Sequence, residues 1–189
     1  MNIANPIHTF KFVQGNADLS GGEFTVDVHP HPFHWLHFKN SFGYVLAVQQ
    51  NATDSTKYLP FTPAPKFSFE LKAEKNKAGQ LFRNVYVMVG VDSYFKQDKI
   101  YSAFDTETET PAYTLIHTGM GTEVASKGKI LFSLYISVNN LTDVAYQNHL
   151  SRLKYGAENY ATGRKGVYNM GRNISVKLIV PVGLKKPKE

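Results

Sequence analysis

Apolar and polar side chains alternate with a period of two along most of this chain, which is typical of β-strands that have one apolar face. The clearest run places four valines on one parity and different side chains on the other: Val85, Val87, Val89 and Val91 against Tyr86, Met88, Gly90 and Asp92. Sustained helical periodicity is scarce. The pattern therefore predicts an all-β protein, an antiparallel meander of about eight strands.

The predicted strands are separated by connections of two very different lengths. The strands cover residues 9–13, 24–28, 33–48, 67–74, 85–91, 113–124, 132–138 and 174–182. Short turns fall near 16–18, 30–32, 76–80 and 125–129, and long connections near 49–65, 96–112 and 139–170. A meander with such sorting has its short turns at one end and its long loops at the other. This arrangement is typical of a transmembrane β-barrel, as are aromatic residues near strand ends, such as Phe33, Trp35, Tyr94 and Tyr113.

Composition excludes several other classes of protein. Hydrophobic residues make up 42% of the 189 residues, which excludes intrinsic disorder, and the absence of cysteine excludes a disulfide framework or a thiolate zinc site. No apolar run reaches the roughly 18 residues of a transmembrane helix. The net charge is +6, but the basic residues are dispersed, so we expect no nucleic-acid partner.

No set of side chains identifies a reaction or a metal. Four histidines lie close together in sequence: His29, His31, His34 and His37. Prolines interrupt the strand between the first two, and the last two have opposite parity, so we expect a polar turn and no metal site. No nucleophile, base and acid stand out from many equivalent combinations. We expect neither an enzyme nor a bound cofactor.

Four motifs in the right order resemble those of TonB-dependent outer-membrane receptors. Residues 17–23, ADLSGGE, resemble an A-x-L-x-G-x-E strand start, and 58–65, YLPFTPAP, resemble an L-P-x-x-P approach to a strand. Residues 137–146, SVNNLTDVAY, are similar to the segment that leaves the penultimate strand. Residues 170–174, MGRNI, are similar to the segment that enters the final strand. The sequence of residues 149–155 resembles that of Bacteroidetes-type members of the family.

The resemblance implies that residues 1–182 are the C-terminal part of a 22-stranded transmembrane β-barrel, followed by a basic tail at 183–189. Twenty-two strands need about 220 residues before any loop is counted, so this chain would be a fragment. The first twelve residues lack the features of a signal peptide, which implies a longer precursor. The last strand also lacks the terminal aromatic that is usual in the family.

The function implied by the resemblance is transport. Such a receptor takes up a scarce nutrient (iron chelate, haem, vitamin or glycan) across the outer membrane of a Gram-negative bacterium. The fragment would supply barrel wall and extracellular loops. Its partners would be the missing plug and N-terminal strands of the same receptor, the TonB complex acting through the plug, outer-membrane lipid and an extracellular ligand.

Two further predictions concern the loops and the alternative fold. The predicted ligand-binding residues in the last long connection are His149, Arg152, Lys154, Tyr155, Arg164 and Lys165, for contact with an anionic ligand or lipopolysaccharide. The alternative is a self-contained eight-stranded barrel that binds a small ligand or lipid. In that barrel the first strand would pair with the last, and the valines of residues 85–91 would face inward.

Overall fold

Seven antiparallel strands form one open sheet in the computed structural model, which describes residues 14–182. The strands are β1 (Ala17–Val28), β2 (Leu36–Gln49), β3 (Lys66–Ala78), β4 (Phe82–Tyr94), β5 (Tyr113–Ser126), β6 (Lys129–Asn139) and, after two short strands, β9 (Asn173–Ile179). Sequence neighbours pair throughout, in the order β1-β2-β3-β4-β5-β6-β9. The predicted all-β antiparallel meander is confirmed.

The connections alternate between short and long, as the sequence predicts. The short ones are residues 29–35, 79–81 and 127–128, and the long ones are 50–65, 95–112 and 140–172. Because the strands are antiparallel, all three long connections lie at one end of the sheet. They contain short 3₁₀ helices at Asp54–Thr56, Ala103–Asp105 and Arg152–Tyr155 and a separate hairpin of β7 (Glu158–Asn159) and β8 (Arg164–Lys165).

The strand register places apolar residues on one face of the sheet and polar residues on the other. One row across all seven strands reads Val28, Phe38, Leu71, Val89, Thr118, Val138 and Ile174. The adjacent row, which points the opposite way, reads Asp27, Lys39, Glu70, Gly90 and His117. We refer to the two sides, defined by these rows and the residues of matching parity, as the apolar face and the polar face.

Nothing within the described residues covers the apolar face. Val87 is 48% exposed, Val89 is 41% exposed and Val176 is 65% exposed, whereas Gly90 of the polar face is buried. Among residues 14–182, only three apolar residues are buried: Ala47, Leu115 and Ala125. A water-soluble β-barrel or sandwich would enclose such side chains. This sheet leaves them outside.

Several predicted boundaries were wrong. The polar run at residues 15–18 indicated a turn, but Ala17 and Asp18 already belong to β1, as the resemblance implied. The third predicted strand begins at Leu36, three residues later than expected, and the last ends at Ile179. A turn accounts for the later start, since the N–H of Leu36 donates to the carbonyl of Phe33 at 2.9 Å and that of His34 to the carbonyl of Pro32 at 3.0 Å. The predicted strand at 9–13 and the tail at 183–189 lie outside the described residues.

The sheet does not close on itself. Within residues 14–182, β1 pairs only with β2 and β9 pairs only with β6, so both outer strands keep a free edge. The context of 22 strands and the division at residue 182 remain predictions. Across the part of the chain that the structure describes, no helix has the length and apolar character to cross a membrane.

Candidate functional site

The three long connections contact one another and form what we call the loop layer (residues 50–65, 95–112 and 140–172). Gln97 is its first link: its backbone pairs with Thr110 in an isolated bridge, and its side-chain amide donates to the carbonyl oxygens of Thr62 and Pro63 at 3.0 and 3.1 Å. Gln97, Thr62 and Thr110 are all buried. The first two connections are therefore joined by buried hydrogen bonds.

Glu107 is the second link. Its carboxylate accepts the backbone N–H of Phe61 at 2.6 Å and that of Tyr101 at 2.9 Å, and its side chain has no exposed area. Its Oε1 also lies 3.5 Å from His149 Nε2. One buried charge thus contacts all three connections, and its two backbone N–H donors are the partners that a buried carboxylate requires.

His149 and Lys154 complete this buried cluster. Lys154 Nζ donates to the carbonyl oxygens of Thr108 and Glu109, both at 2.8 Å, and to Thr110 Oγ1 at 2.7 Å. Thr110 Oγ1 also lies 2.9 Å from His149 Nδ1. An ammonium group only donates, so the threonine oxygen accepts from Lys154 and has its own proton for His149 Nδ1. Neutral His149 then carries its proton on Nε2, which faces Glu107.

Burial shifts the acid–base properties of both basic groups. It is the main cause that lowers the pKa of His149 below 6.5; the Glu107 carboxylate opposes this effect and the Lys154 cation adds to it. Burial also lowers the pKa of Lys154, again opposed by Glu107. The neutral form of His149 is therefore favoured at neutral pH.

A stack of three tyrosines attaches the loop layer to the sheet. The ring centroids of Tyr94 and Tyr113 are 4.6 Å apart, and those of Tyr113 and Tyr146 are 4.7 Å apart. Tyr94 and Tyr113 are register partners at the loop end of β4 and β5, whereas Tyr146 comes from the last connection. The stack therefore anchors that connection against the rim of the polar face.

The polar face contains a charged groove of roughly 400 Å³ below this rim. Asp92 is at its centre: Lys66 Nζ lies 3.1 Å away, Ser68 Oγ donates to the carboxylate at 2.6 Å, and His117 Nε2 lies 3.5 Å away. Gly90, on the same strand, leaves room for the groove because it has no side chain. A face of this kind suits contact with water or with another polar protein surface, not hydrocarbon.

Two of the four motifs that carry the resemblance meet where β6 ends and β9 begins. Asn140 caps its own loop, since its side chain accepts the N–H of Val144 and donates to the carbonyl of that residue, both at 2.9 Å. Asp143 Oδ1 accepts the backbone N–H of Arg172 at 2.7 Å. A Cβ on Gly171 would lie 2.6 Å from the same oxygen, so a side chain there would displace the carboxylate from this hydrogen bond. The NLTD and GRN segments, distant in sequence, thus form one joint.

The six predicted ligand-binding residues fall into two groups. His149 and Lys154 are buried, 2% and 7% exposed, and their contacts are within the loop layer. Arg152 is exposed and stacks on the Phe61 ring at 4.4 Å, while Tyr155 is half-buried with its hydroxyl 3.4 Å from the Thr108 N–H. Arg164 and Lys165 are exposed on β8. Ligand binding by these residues stays a prediction.

Sequence reasoning did not identify Gln97, Glu107 or Thr110. All three lie in a stretch rich in Asp, Glu and Thr, which had the composition of an ordinary solvated loop. No residue near Glu107 in the sequence indicated that its side chain is buried. Only contacts with residues about forty positions away, in the other two connections, make it internal.

The histidine-rich end of the sheet contains two histidine–carboxylate pairs. His29 Nε2 lies 3.3 Å from Asp27 Oδ1, and His37 Nε2 lies 3.2 Å from Glu74 Oε1. His29 and His37 contact edge to face, with centroids 4.4 Å apart. Residues 14–182 include no grouping of three or more histidine or acidic side chains suited to a metal ion.

Comparison with known proteins gave a match in fold but none in sequence. No protein-family model matches the chain, and no curated protein matches it. A solved structure described as the copper transporter OprC superposes with a TM-score of 0.67 at 17% sequence identity. The superposition covers 88% of this chain and 24% of that one. The likeness shows the fold. This chain therefore spans about a quarter of the transporter it resembles.

Proposed function

We propose that this chain is a wall segment of a larger outer-membrane transporter, namely the C-terminal part of a TonB-dependent receptor of Bacteroidetes type. The observation that carries the proposal is the apolar face, which nothing among residues 14–182 covers and which lies opposite a polar face in a sheet whose described strands leave two free edges. In water such a face is costly at roughly 25 cal/mol for each Å² of apolar surface. In contact with hydrocarbon that cost disappears.

The sorted connections and the motifs support the same proposal. Short turns at one end and a structured loop layer at the other are usual in outer-membrane barrels. The last two motifs form one joint at Asp143 and Arg172, and the fold matches part of a transporter. The alternative, a self-contained eight-stranded barrel, requires inward valines, whereas Val87 and Val89 are on the uncovered face.

The whole receptor would perform energy-coupled uptake of a scarce nutrient. This segment would contribute wall, three extracellular connections and a closing strand, β9, whose free edge would pair with the first strand of the missing part. The plug would occupy the polar face and connect to the TonB complex. Iron chelates, haem, vitamins and glycans are the cargo classes, to which the description of OprC adds copper. We assign no enzymatic activity.

Cysteine scanning tests the membrane orientation, because the sequence has no cysteine of its own. Val87→Cys and Val89→Cys sit on the apolar face, and Met88→Cys on the same strand is the matched control. Each substitution is introduced into the receptor that contains this segment, and the receptor is prepared in outer-membrane vesicles. The cysteine is then labelled with an environment-sensitive fluorophore. We expect lipid-attached quenchers to reach positions 87 and 89 and not 88. The reverse pattern would contradict the proposal.

Uptake measurements test the coupling separately. In cells that produce the receptor, uptake of radiolabelled iron chelate, haem, vitamin, glycan or copper is compared before and after loss of TonB. We expect accumulation of one cargo to stop. Uptake that continues without TonB would remove the energy-coupled part of the proposal and leave the membrane wall intact.

A further inference from the structure

The apolar face has a groove at its short-turn end. It has a volume of roughly 350 Å³ and is bounded by Trp35, Ala73, Val85 and Val87. Ala73 causes the depression, because its register partners are the larger Leu36 and Val87. The backbone carbonyl of Trp35 accepts the N–H of Glu74 at 2.7 Å, which holds the indole beside β3.

Two lysines lie directly beyond this groove. Lys75 borders the groove and pairs with Val85, and Lys77 follows it on β3 and pairs with Arg83. Both are exposed, and neither forms an ion pair with a carboxylate in the part of the chain that the structure describes. Glu74 belongs to the polar face, where Lys72 and His37 engage it. The apolar groove therefore ends in two uncompensated positive charges.

Trp35 supplies a third feature. Its side chain is half-exposed, and its ring contacts Phe33 edge to face at 6.1 Å. An indole combines a large apolar surface with one N–H donor, and tryptophan is enriched where hydrocarbon meets head groups. Lysines extend their ammonium groups toward head groups from the same depth. These three features match the parts of a phospholipid in order. The apolar groove suits an acyl chain, the indole suits the interface, and the two ammonium groups suit the head group.

We propose that this groove is a binding site for one phospholipid with an anionic head group, in the leaflet at the short-turn end. An acyl chain occupies the space over Ala73 between Trp35, Val85 and Val87. The head-group phosphate lies against Lys75 and Lys77. The inference rests on the proposed function, since the apolar face must contact a bilayer for a lipid to reach the groove.

Trp35 makes the test direct, because it is the only tryptophan in the sequence. The 189-residue chain is prepared in dodecylmaltoside micelles and titrated with phosphatidylglycerol brominated on its acyl chains, or with phosphatidylcholine brominated identically. Bromine in contact with the indole quenches its fluorescence. We expect phosphatidylglycerol to reach half-maximal quenching at a mole fraction about thirtyfold lower, given two lysines at the head group.

Variants separate the head group from the groove. Lys75→Gln with Lys77→Gln should abolish the preference for phosphatidylglycerol and leave quenching by phosphatidylcholine unchanged. Ala73→Phe should fill the groove and weaken quenching by both lipids. Lys57→Gln, an exposed lysine at the loop end, is the matched control and should keep the preference. Far-UV circular dichroism checks that each variant is folded.

The outcomes distinguish the site from the proposed function. Equal quenching of the unmodified chain by both lipids would overturn the site and leave the membrane-facing sheet intact. Displacement of the brominated phosphatidylglycerol by soluble glycerol phosphate would overturn it as well, because the ligand would then be a free anion. Absence of quenching by either lipid would contradict the membrane-facing role of the apolar face itself.

Discussion

Glu107 contacts all three connections of the loop layer. Its buried carboxylate accepts two backbone N–H groups from different connections and faces His149. Glu107→Gln keeps the shape, but its amide has one acceptor oxygen, so one of the two backbone N–H groups would face an NH₂ donor. Lys154 also loses its nearby counter-charge. We expect the loop layer to lose about 1.5–3 kcal/mol of local stability.

Hydrogen exchange at the amides of Phe61 and Tyr101 measures this loss, since both amides donate to Glu107. Glu109→Gln is the matched control, because Glu109 is an exposed partner of Lys96 in the same connection. Exposed ion pairs contribute little, so this control should exchange like the unmodified chain. Equal exchange in both variants would show that Glu107 does not join the connections.

His149 gives the loop layer a dependence on pH. Burial lowers the pKa of this histidine, so the unfolded chain takes up a proton near pH 6.5 while the folded state resists it until lower pH. The unfolded state binds more protons in that window, and stability therefore decreases as the pH falls below about 6.5. We expect faster exchange at Phe61 and Tyr101 in that range, after correction for intrinsic rates.

His149→Gln isolates the source of this dependence. The amide retains a polar group beside Thr110 but does not titrate, so the local stability should change less between neutral and mildly acidic pH. A pH profile identical to that of the unmodified chain would assign the effect to other groups in the cluster.

The strands depend on how side chains pack across neighbouring positions. Gly121 shows this: it lies in register between Tyr86 and Tyr135 on the polar face, and the two rings close over it. A Cβ there would lie 2.5 Å from a carbon of each ring. Aromatic cover of a strand glycine is a recognised way to stabilise a curved sheet.

Gly121→Ala should therefore destabilise the sheet by about 1–3 kcal/mol, because both rings must move. Gly43→Ala is the matched control on the same face, where a Cβ would meet nothing within 4 Å. That change should be neutral or stabilising by about 0.5–1 kcal/mol, since alanine loses less backbone freedom. Urea unfolding in detergent micelles compares the two. A similar effect for both would argue against packing at Gly121.

The period-two pattern predicted the strands and their two faces correctly, whereas the turn residues predicted some strand ends wrongly. The alternation of Val85 to Val91 with polar neighbours predicted both β4 and the parity of its two faces. The turn residues around Asn16 gave the wrong start for β1, because backbone pairing with β2 continues to Ala17, opposite Gln49. Such pairing partners lie far apart in sequence.

Within residues 14–182, the sheet has two free strand edges and an uncovered apolar face. β1 and β9 each offer unpaired backbone groups along one side, and the apolar face adds a large hydrophobic surface. Free edges are templates for pairing with another chain. We expect the 189-residue chain to associate in detergent-free buffer and to disperse when detergent covers the apolar face.

Size-exclusion chromatography with light scattering measures this association directly. Addition of dodecylmaltoside should shift large species toward a protein–detergent complex. A monodisperse monomer without detergent would contradict both the open sheet and the membrane-facing role of the valines.

By itself, the sequence determined the class of the fold, the order of the strands and the sorting of their connections. These follow from local physics: a period of two, the turn chemistry of glycine and proline, and the lengths between them. Only the tertiary structure decided that the valines lie on an uncovered face. It also decided which charged residues of the loops are buried. His149 and Lys154 are buried because three connections converge at one end of an antiparallel sheet, which no local pattern contains.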